Sequence, residues 1–355
     1  MRRLRWWSTG RVIGVRRPVS GVYVLELAGE DDDFAAREAA SAATDISVIA
    51  PGLATARGIT ERVRGLAYTH RASELIGRTD PDVASATALL DAATIERTGT
   101  VAVRARDVRG LVDIDTQSVE RELGQILVDR GFPVDLDDPD HVLQAVFASE
   151  TCALGWLESE SVRDFGTRQP TDRPFFQPGS MDPLLARALA NIAGARPGRL
   201  VLDPMCGTGG VLAEAGLVGA DVLGVDAQEK MSRGAAENLA YLLEDDTASE
   251  LPDPGDYHTA QGDATALPLP DDSVDAVVFD APYGRQSKIA NLDLESLVGG
   301  ALAEARRVAP RAVVVADRSW VDAAEDAGWT ITDRFERRVH RSLTRYVLVL
   351  ARPTG

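Results

Sequence analysis

The 355-residue sequence predicts an α/β protein: a seven-stranded, doubly wound (Rossmann-like) C-terminal domain preceded by an α+β module. Three observations carry that reading. From about residue 180, short apolar runs alternate with helical patterns, the texture of a parallel sheet covered on both faces. One of these runs, Leu200-Val201-Leu202-Asp203, leads directly into Pro204-Met205-Cys206-Gly207-Thr208-Gly209-Gly210 and a helix. That is the strand, glycine loop and helix of a ligand-binding crevice. Between the halves, residues 158–179 are polar and hold Pro170, Pro174, Pro178 and Gly179, the composition of a boundary.

In order along the chain, residues 1–21 hold six arginines and no acid, and are expected to be a flexible basic tail or an overextended gene start. They lack the apolar core of a signal peptide. The period-two pattern of Val22-Tyr23-Val24-Leu25-Glu26-Leu27 then predicts a strand. An alanine-rich helix is expected over 31–43, a strand over 62–68, and helices over 72–76 and 81–98. Residues 100–105 alternate as a strand, and 118–130 carry a helical apolar stripe ended by Gly131. Asp137-Asp138-Pro139-Asp140 is a turn, and strands follow at 141–148 and 152–157. These elements form a module over 22–160, joined by a linker at 161–179 to a domain at 180–355. That domain opens with a helix capped at Asp182. Its strands are expected at 200–203, 222–226, 257–261, 276–280, 312–316, 331–339 and 344–351, the last two as an antiparallel hairpin.

Composition limits the function. A chain 45% hydrophobic and 26% charged is a soluble globular protein. No apolar run approaches the ~20 residues that span a bilayer. Two cysteines, Cys152 and Cys206, exclude a disulfide scaffold and a Cys-rich zinc site, and the four histidines show no ligand spacing, so no metal is expected. The formal charge is −17, and Lys230 and Lys288 are the only lysines among 38 basic residues. Acid excess with scarce lysine predicts a halophilic protein, whose self-repulsion is screened within ~3 Å at about 1 M salt. A GC-rich genome would account for the missing lysine but not for the acids.

Three acids stand in register at strand ends: Asp203, Asp226 and Asp263. The loop spacing is G-x-G-G, without the G-x-G-x-x-G of a pyrophosphate cradle. Asp203 would repel a diphosphate and suits an amino-bearing ligand. Asp226 can accept both hydroxyls of a ribose. Asp263, or the backbone beside it, can hold an adenine amino group. The ligand that suits all three is S-adenosylmethionine, with Gly207 and Gly209 allowing its close approach and Cys206 packing beside it. Met181 can cover this cofactor or simply pack. Cys152, Trp156, Trp320 and Trp329 are expected in the core.

The fourth strand ends in Phe279-Asp280-Ala281-Pro282-Tyr283-Gly284. This resembles the Asp-Pro-Pro-Tyr tetrad of the class I amino-methyltransferases, which methylate exocyclic amines. The lone pair of such an amine is delocalised into its ring. Acceptance of N–H bonds by Asp280 and the Ala281 carbonyl favours a pyramidal, nucleophilic nitrogen, while Tyr283 stacks on the base. Ring-carbon methylation would need a thiol, and this loop has none.

The resemblance narrows with Arg173-Pro174-Phe175-Phe176-Gln177-Pro178-Gly179-Ser180-Met181-Asp182-Pro183, the Asp203–Gly209 loop and Val339-His340-Arg341-Ser342-Leu343-Thr344-Arg345. Together they resemble the archaeal tRNA (guanine-N2-)-dimethyltransferase family acting at position 10. The likeness covers nearly all of 22–355. It implies catalytic Asp280, Pro282 and Tyr283, S-adenosyl-L-methionine as cofactor, and a ferredoxin-like plus THUMP module binding tRNA in the first half. One departure is Ala281, where the family pattern has Pro; it puts the rigidity of the loop in question. Arginine islands at 57–78, 97–109 and 334–345 are candidate phosphate contacts or salt-bridged faces. A monomeric cytoplasmic enzyme is expected. The rivals are methylation of ribosomal RNA guanine N2 or of DNA adenine N6, and a non-catalytic RNA-binding protein. The THUMP-like half argues against DNA, and intact Asp280 and Tyr283 argue against a non-catalytic role.

Overall fold

A computed structural model describes residues 19–244, 251–282, 291–340 and 343–353. Two mixed sheets organise them. The first half contributes β1 (Val19–Leu27), α1 (Asp32–Ala39), β2 (Ala43–Thr44), β3 (Ser47–Ala50), β4 (Leu53–Ile59), β5 (Thr69–Thr79), α2 (Val83–Ala92), β6 (Val101–Asp107), α3 (Thr116–Asp129), β7 (His141–Ala148) and β8 (Thr151–Glu160). Its strand order is β2-β4-β1-β5-β8-β7-β6, with β3 added on β4. Side-chain caps start its helices: Asp31 accepts from Phe34 N at 3.0 Å and Asp82 from Ser85 N at 2.9 Å.

This half departs from the sequence reading in several places. Residues 62–68 turn through a 3-10 helix at Glu61–Gly65 instead of forming a strand. Residues 72–76 lie inside β5 instead of a helix. Pairing of β5 with β1 on one side and β8 on the other overrides the local helical preference of that short apolar stretch. The strands β2 to β4 went unread because they are short and rich in alanine and glycine, and Pro51-Gly52 breaks them. The helices expected over 31–43 and 81–98 stop at Ala39 and Ala92. β1 begins at Val19, inside the segment expected as a tail; residues 1–18 lie outside the described residues.

The second half contributes α4 (Pro183–Ala193), β9 (Leu200–Asp203), α5 (Gly210–Leu217), β10 (Asp221–Asp226), α6 (Glu229–Leu243), β11 (Tyr257–Gln261), β12 (Ala276–Asp280), α7 (Asn291–Val308), β13 (Arg311–Ala316), α8 (Val321–Asp326), β14 (Thr330–His340) and β15 (Leu343–Ala351). The seven strands expected here are present, in the order β11-β10-β9-β12-β13-β15-β14. β15 runs antiparallel between β13 and β14, and the pairings from β11 to β13 are parallel. The order reverses between β9 and β12, which opens a crevice beyond their carboxyl ends. α4 starts on Asp182, which accepts from Leu184 N at 2.9 Å, with Pro183 at the first helical position.

One buried cluster runs through both halves, from Leu25 and Phe34 to Leu189, Leu212 and Val347. Phe34 of α1 meets Tyr68 and Phe335 of β14 edge to face at 5.3 and 5.2 Å. The Arg337 guanidinium lies 4.2 Å from the Phe34 ring centre and 4.7 Å from that of Tyr68. Residues 161–179, read as a linker, are packed: Phe165, Arg168 and Arg173 are buried. The cause sits in α5, where fully buried Glu214 requires cations. Arg168 meets it at 2.6 Å and Arg187 of α4 at 2.8 Å.

Candidate active site

The site forms where β9, β10 and β12 end side by side. After β9 the chain turns through Gly207 (φ 53°) and Gly209 (φ 75°), a left-handed backbone that glycine adopts without strain, and Gly209 caps α5. A side chain at Gly209 would also press on Ala235 of α6, at 3.2 Å. The loop is pinned on both sides. Cys206 N donates to Val225 O at 2.9 Å, and Gly207 N donates to Asp226 Oδ2 at 3.0 Å. The other Asp226 oxygen accepts from Gln228 N at 2.9 Å. Asp226 is half-buried, and its carboxylate keeps accepting capacity beyond these two bonds.

Asp203 is 3% exposed and accepts from Met205 N at 3.0 Å. Burial pushes its carboxyl well above the usual range, and the negative charges of Asp226 and Asp280 push it further. Three carboxyl groups therefore share one field, a surplus of acid that fits a cationic, amino-bearing ligand. Asp280, half-buried, closes β12. Pro282 follows, half-buried. Tyr283 lies outside the described residues, as do Arg341 and Ser342 of the closing motif.

At Ala281 the N–H, which proline would lack, donates to Val315 O at 2.7 Å and continues the β12–β13 pairing by one residue. That bond anchors Ala281 itself, at the point where the chain leaves the strand.

Asp263 stands at the same sheet edge but is exposed, and its Oδ1 accepts from both Thr265 N and Thr265 Oγ1 at 2.8 Å. Those bonds hold the carboxyl below its ordinary range. Cys206 is buried against β10: its sulfur lies 3.0 Å from where a Cβ on Gly224 would be. Burial drives its thiol far above the normal range, which makes it a packing residue. Cys152 is likewise core, raised to about 12. Trp156, Trp320 and Trp329 are buried, as expected of core residues, and Met181 is buried as well, which fits either of its two readings.

Sequence reasoning took the 173–183 segment only as a family likeness, and missed how it frames the loop. Ser180 Oγ lies 3.1 Å from Thr208 Oγ1, and Asn238 of α6 bonds to Phe175 N at 2.9 Å, Phe175 O at 2.8 Å and Thr208 O at 2.9 Å. The available signal was Asn238 itself, an amide on the inward face of an amphipathic helix. Among the described residues, the arginine island at 97–109 is mostly ion-paired, and the other two are so only in part. Arg71 and Arg106 pair with Glu26, each at 3.1 Å, Arg97 with Glu74 and Glu158, and Arg109 with Asp32. On β14, Arg334 and Arg338 are exposed. Among the described residues no cluster of metal-ligating side chains occurs, and no helix is long and apolar enough to cross a membrane.

Residues 170–347 match the UPF0020 family, described as RMKL-like, methyltransferase domain. The tRNA (guanine(10)-N2)-dimethyltransferase of Methanothermobacter thermautotrophicus is 36% identical over 294 residues, 81% of this chain and 83% of that protein. The chain belongs to the tRNA (guanine(10)-N2)-dimethyltransferase family. A second relative of that name, from Pyrococcus abyssi, is 33% identical over 71% of this chain and 74% of its own. The tRNA (guanine(6)-N2)-methyltransferase of Thermus thermophilus is 30% identical over 64% of this chain and 66% of its own. Membership makes S-adenosylmethionine the cofactor, and the acid-rich, glycine-lined crevice fits its ribose and its amino group.

Proposed function

We propose that this protein methylates the exocyclic N2 amine of a guanosine in tRNA, at position 10 and to the dimethyl stage, as the names of its relatives specify. The observation that carries this reading is the gathering of Asp203, Asp226 and Asp280 at adjoining strand ends beside the glycine loop, in a chain of this family. S-adenosylmethionine, when bound, supplies an electrophilic methyl group on a sulfonium. Asp203 receives the amino group of its tail, Asp226 its ribose, and Asp263 with its neighbouring backbone the adenine edge, while Gly207, Gly209 and Cys206 shape the floor.

Asp280 and the Ala281 carbonyl accept N–H bonds from the guanine amine, so that its lone pair is freed toward the methyl carbon. On accepting the methyl group, the guanine nitrogen would gain positive charge. Asp280 stabilises that charge, and the surplus proton leaves to water. Pro282 holds the turn, and Tyr283 is assigned the stacking face that presents the base. A base taken from a helical stem must leave its stack to reach this crevice. The first half, 22–160, is assigned the ferredoxin-like and THUMP parts that grip the tRNA, with the enzyme acting in the cytoplasm.

The test is mass spectrometry of tRNA nucleosides from a strain lacking the gene. Loss of N2-methylated guanosine from tRNA, restored by the wild-type gene, is expected. Normal tRNA with altered ribosomal RNA or DNA would replace this reading with one of its rivals.

A further inference from the structure

α5 begins beneath the glycine loop, and one buried cation at its first turn has no counterpart. Arg173 is 5% exposed. Its Nε donates to Arg168 O at 3.1 Å, whereas neither Nη atom has a hydrogen-bond partner. Nη1 lies 3.0 Å from the point where a Cβ on Gly210 would stand, and Met181 O lies 4.0 Å from the same point. The guanidinium therefore packs against Gly210, the first residue of α5, whose lack of a side chain admits it.

The neighbouring acids are already engaged. Glu214 is held by Arg168 and Arg187, and Asp182 caps α4. Burial depresses the proton affinity of Arg173; the charge of Glu214 opposes that effect in part, Arg168 adds to it, and neither Glu214 nor Asp182 bonds the guanidinium. A buried, uncompensated cation is unfavourable unless an anion completes it. It also stands behind a helix N-terminus, where the peptide dipoles favour negative charge. At the strand ends beside the loop, Asp203, Asp226 and Asp280 share one field. Acid thus gathers at the strand ends, and a buried cation stands at the helix start. The amino-acid tail of S-adenosylmethionine carries both charges, an α-ammonium and an α-carboxylate.

We propose that Arg173 is a positioning residue for the α-carboxylate of the cofactor, its charge reinforcing the N-terminus of α5 from behind Gly210. This rests on S-adenosylmethionine as the ligand, and it assigns the two ends of the tail to the strand ends and the helix start. Arg173 makes no direct contact; it acts across the Gly210 backbone, through a medium of low dielectric.

The test compares binding of S-adenosylmethionine with binding of its decarboxylated form, by calorimetry on the full chain without tRNA. Wild type should bind the carboxylated form about 10-fold or more tightly, the scale of one charge interaction at low effective dielectric. Arg173→Met should lose most of that preference while binding the decarboxylated form as wild type does. Arg173→Lys, which keeps the charge, should retain a preference, and serves if Arg173→Met fails to fold. Equal weakening of both ligands in Arg173→Met would show a merely structural residue and overturn the proposal. An undiminished preference in Arg173→Met, a lost one in Arg173→Lys, or none in wild type would do the same. Failure of wild type to bind either ligand would instead overturn the cofactor assignment itself.

Discussion

Gly207 donates its backbone N–H to the carboxylate of Asp226 at 3.0 Å, so the glycine loop after one strand is tied to the acid that ends the next. The same carboxylate is the expected acceptor for the cofactor ribose. One side chain thus shapes the loop and is also the one proposed to hold the ligand.

Asp226→Ala should therefore weaken S-adenosylmethionine binding by about 1.5–3 kcal/mol, the worth of hydrogen bonds to a charged group. Asp226→Asn should fall between wild type and Ala, because its amide keeps one accepting oxygen. NAD should not bind either protein. Calorimetry measures all three, and an Asp226→Ala protein with wild-type affinity would refute the assignment.

Asp280→Asn keeps the side-chain shape but carries no charge. It should lower the single-turnover rate at least ~10²-fold, the scale of one preorganised electrostatic contact. Affinity for cofactor and for tRNA should change little. Tyr283→Ala should slow transfer as well, and partial rescue by Tyr283→Phe would identify stacking as its contribution. A near-normal rate in Asp280→Asn would leave Asp280 as a strand-end cap.

Asp203 links stability to pH. Its carboxyl is raised above the unfolded value by burial, and by Asp226 and Asp280. The folded chain then binds the proton more tightly than the unfolded chain does, so this group favours folding at low pH. That contribution is lost as pH rises from the unfolded carboxylate range through the raised folded value. At neutral pH Asp203→Asn should raise the melting temperature of the ligand-free protein while weakening cofactor binding. Thermal melts from pH 5 to 8 test this: the advantage of Asp203→Asn should grow with pH, and a constant offset would contradict the linkage.

Ala281→Pro restores the residue usual in the family pattern and removes the 2.7 Å bond from Ala281 N to Val315 O. Loss of the donor should destabilise the protein by about 1 kcal/mol, with cofactor affinity intact. Denaturant unfolding reads this directly; a stabilised variant would mean that ring rigidity outweighs the ladder bond.

What the sequence reveals of this molecule follows where its physics is local. The strands at 200–203, 222–226 and 276–280 were legible because each is an apolar run that ends on an acid. The Asp182 cap was legible because a short polar side chain before a proline starts a helix. Residues 43–59 were not, since alanine, glycine and serine give no period and their pairing is decided by distant β1. Arg173 and Arg168 were unreadable in a stretch rich in proline and polar residues, which resembles a surface linker. The signal for Arg168 lay 46 residues further on, in Glu214, a lone charge within an apolar helix that has to be neutralised from elsewhere.

Both sulfhydryls of the chain, Cys152 and Cys206, are shielded from solvent and held well above the pH at which thiolates form. Alkylating reagents and mild oxidants attack the thiolate, so the native enzyme has almost nothing to offer them. Cys152 sits in β8 of the first sheet and Cys206 in the loop after β9 of the second. Each sulfur is thus a built-in reporter on its own neighbourhood. The rate at which each becomes labelled counts how often its surroundings open: Cys152 packs in a cluster confined to the first half, and Cys206 in the cluster that joins the halves.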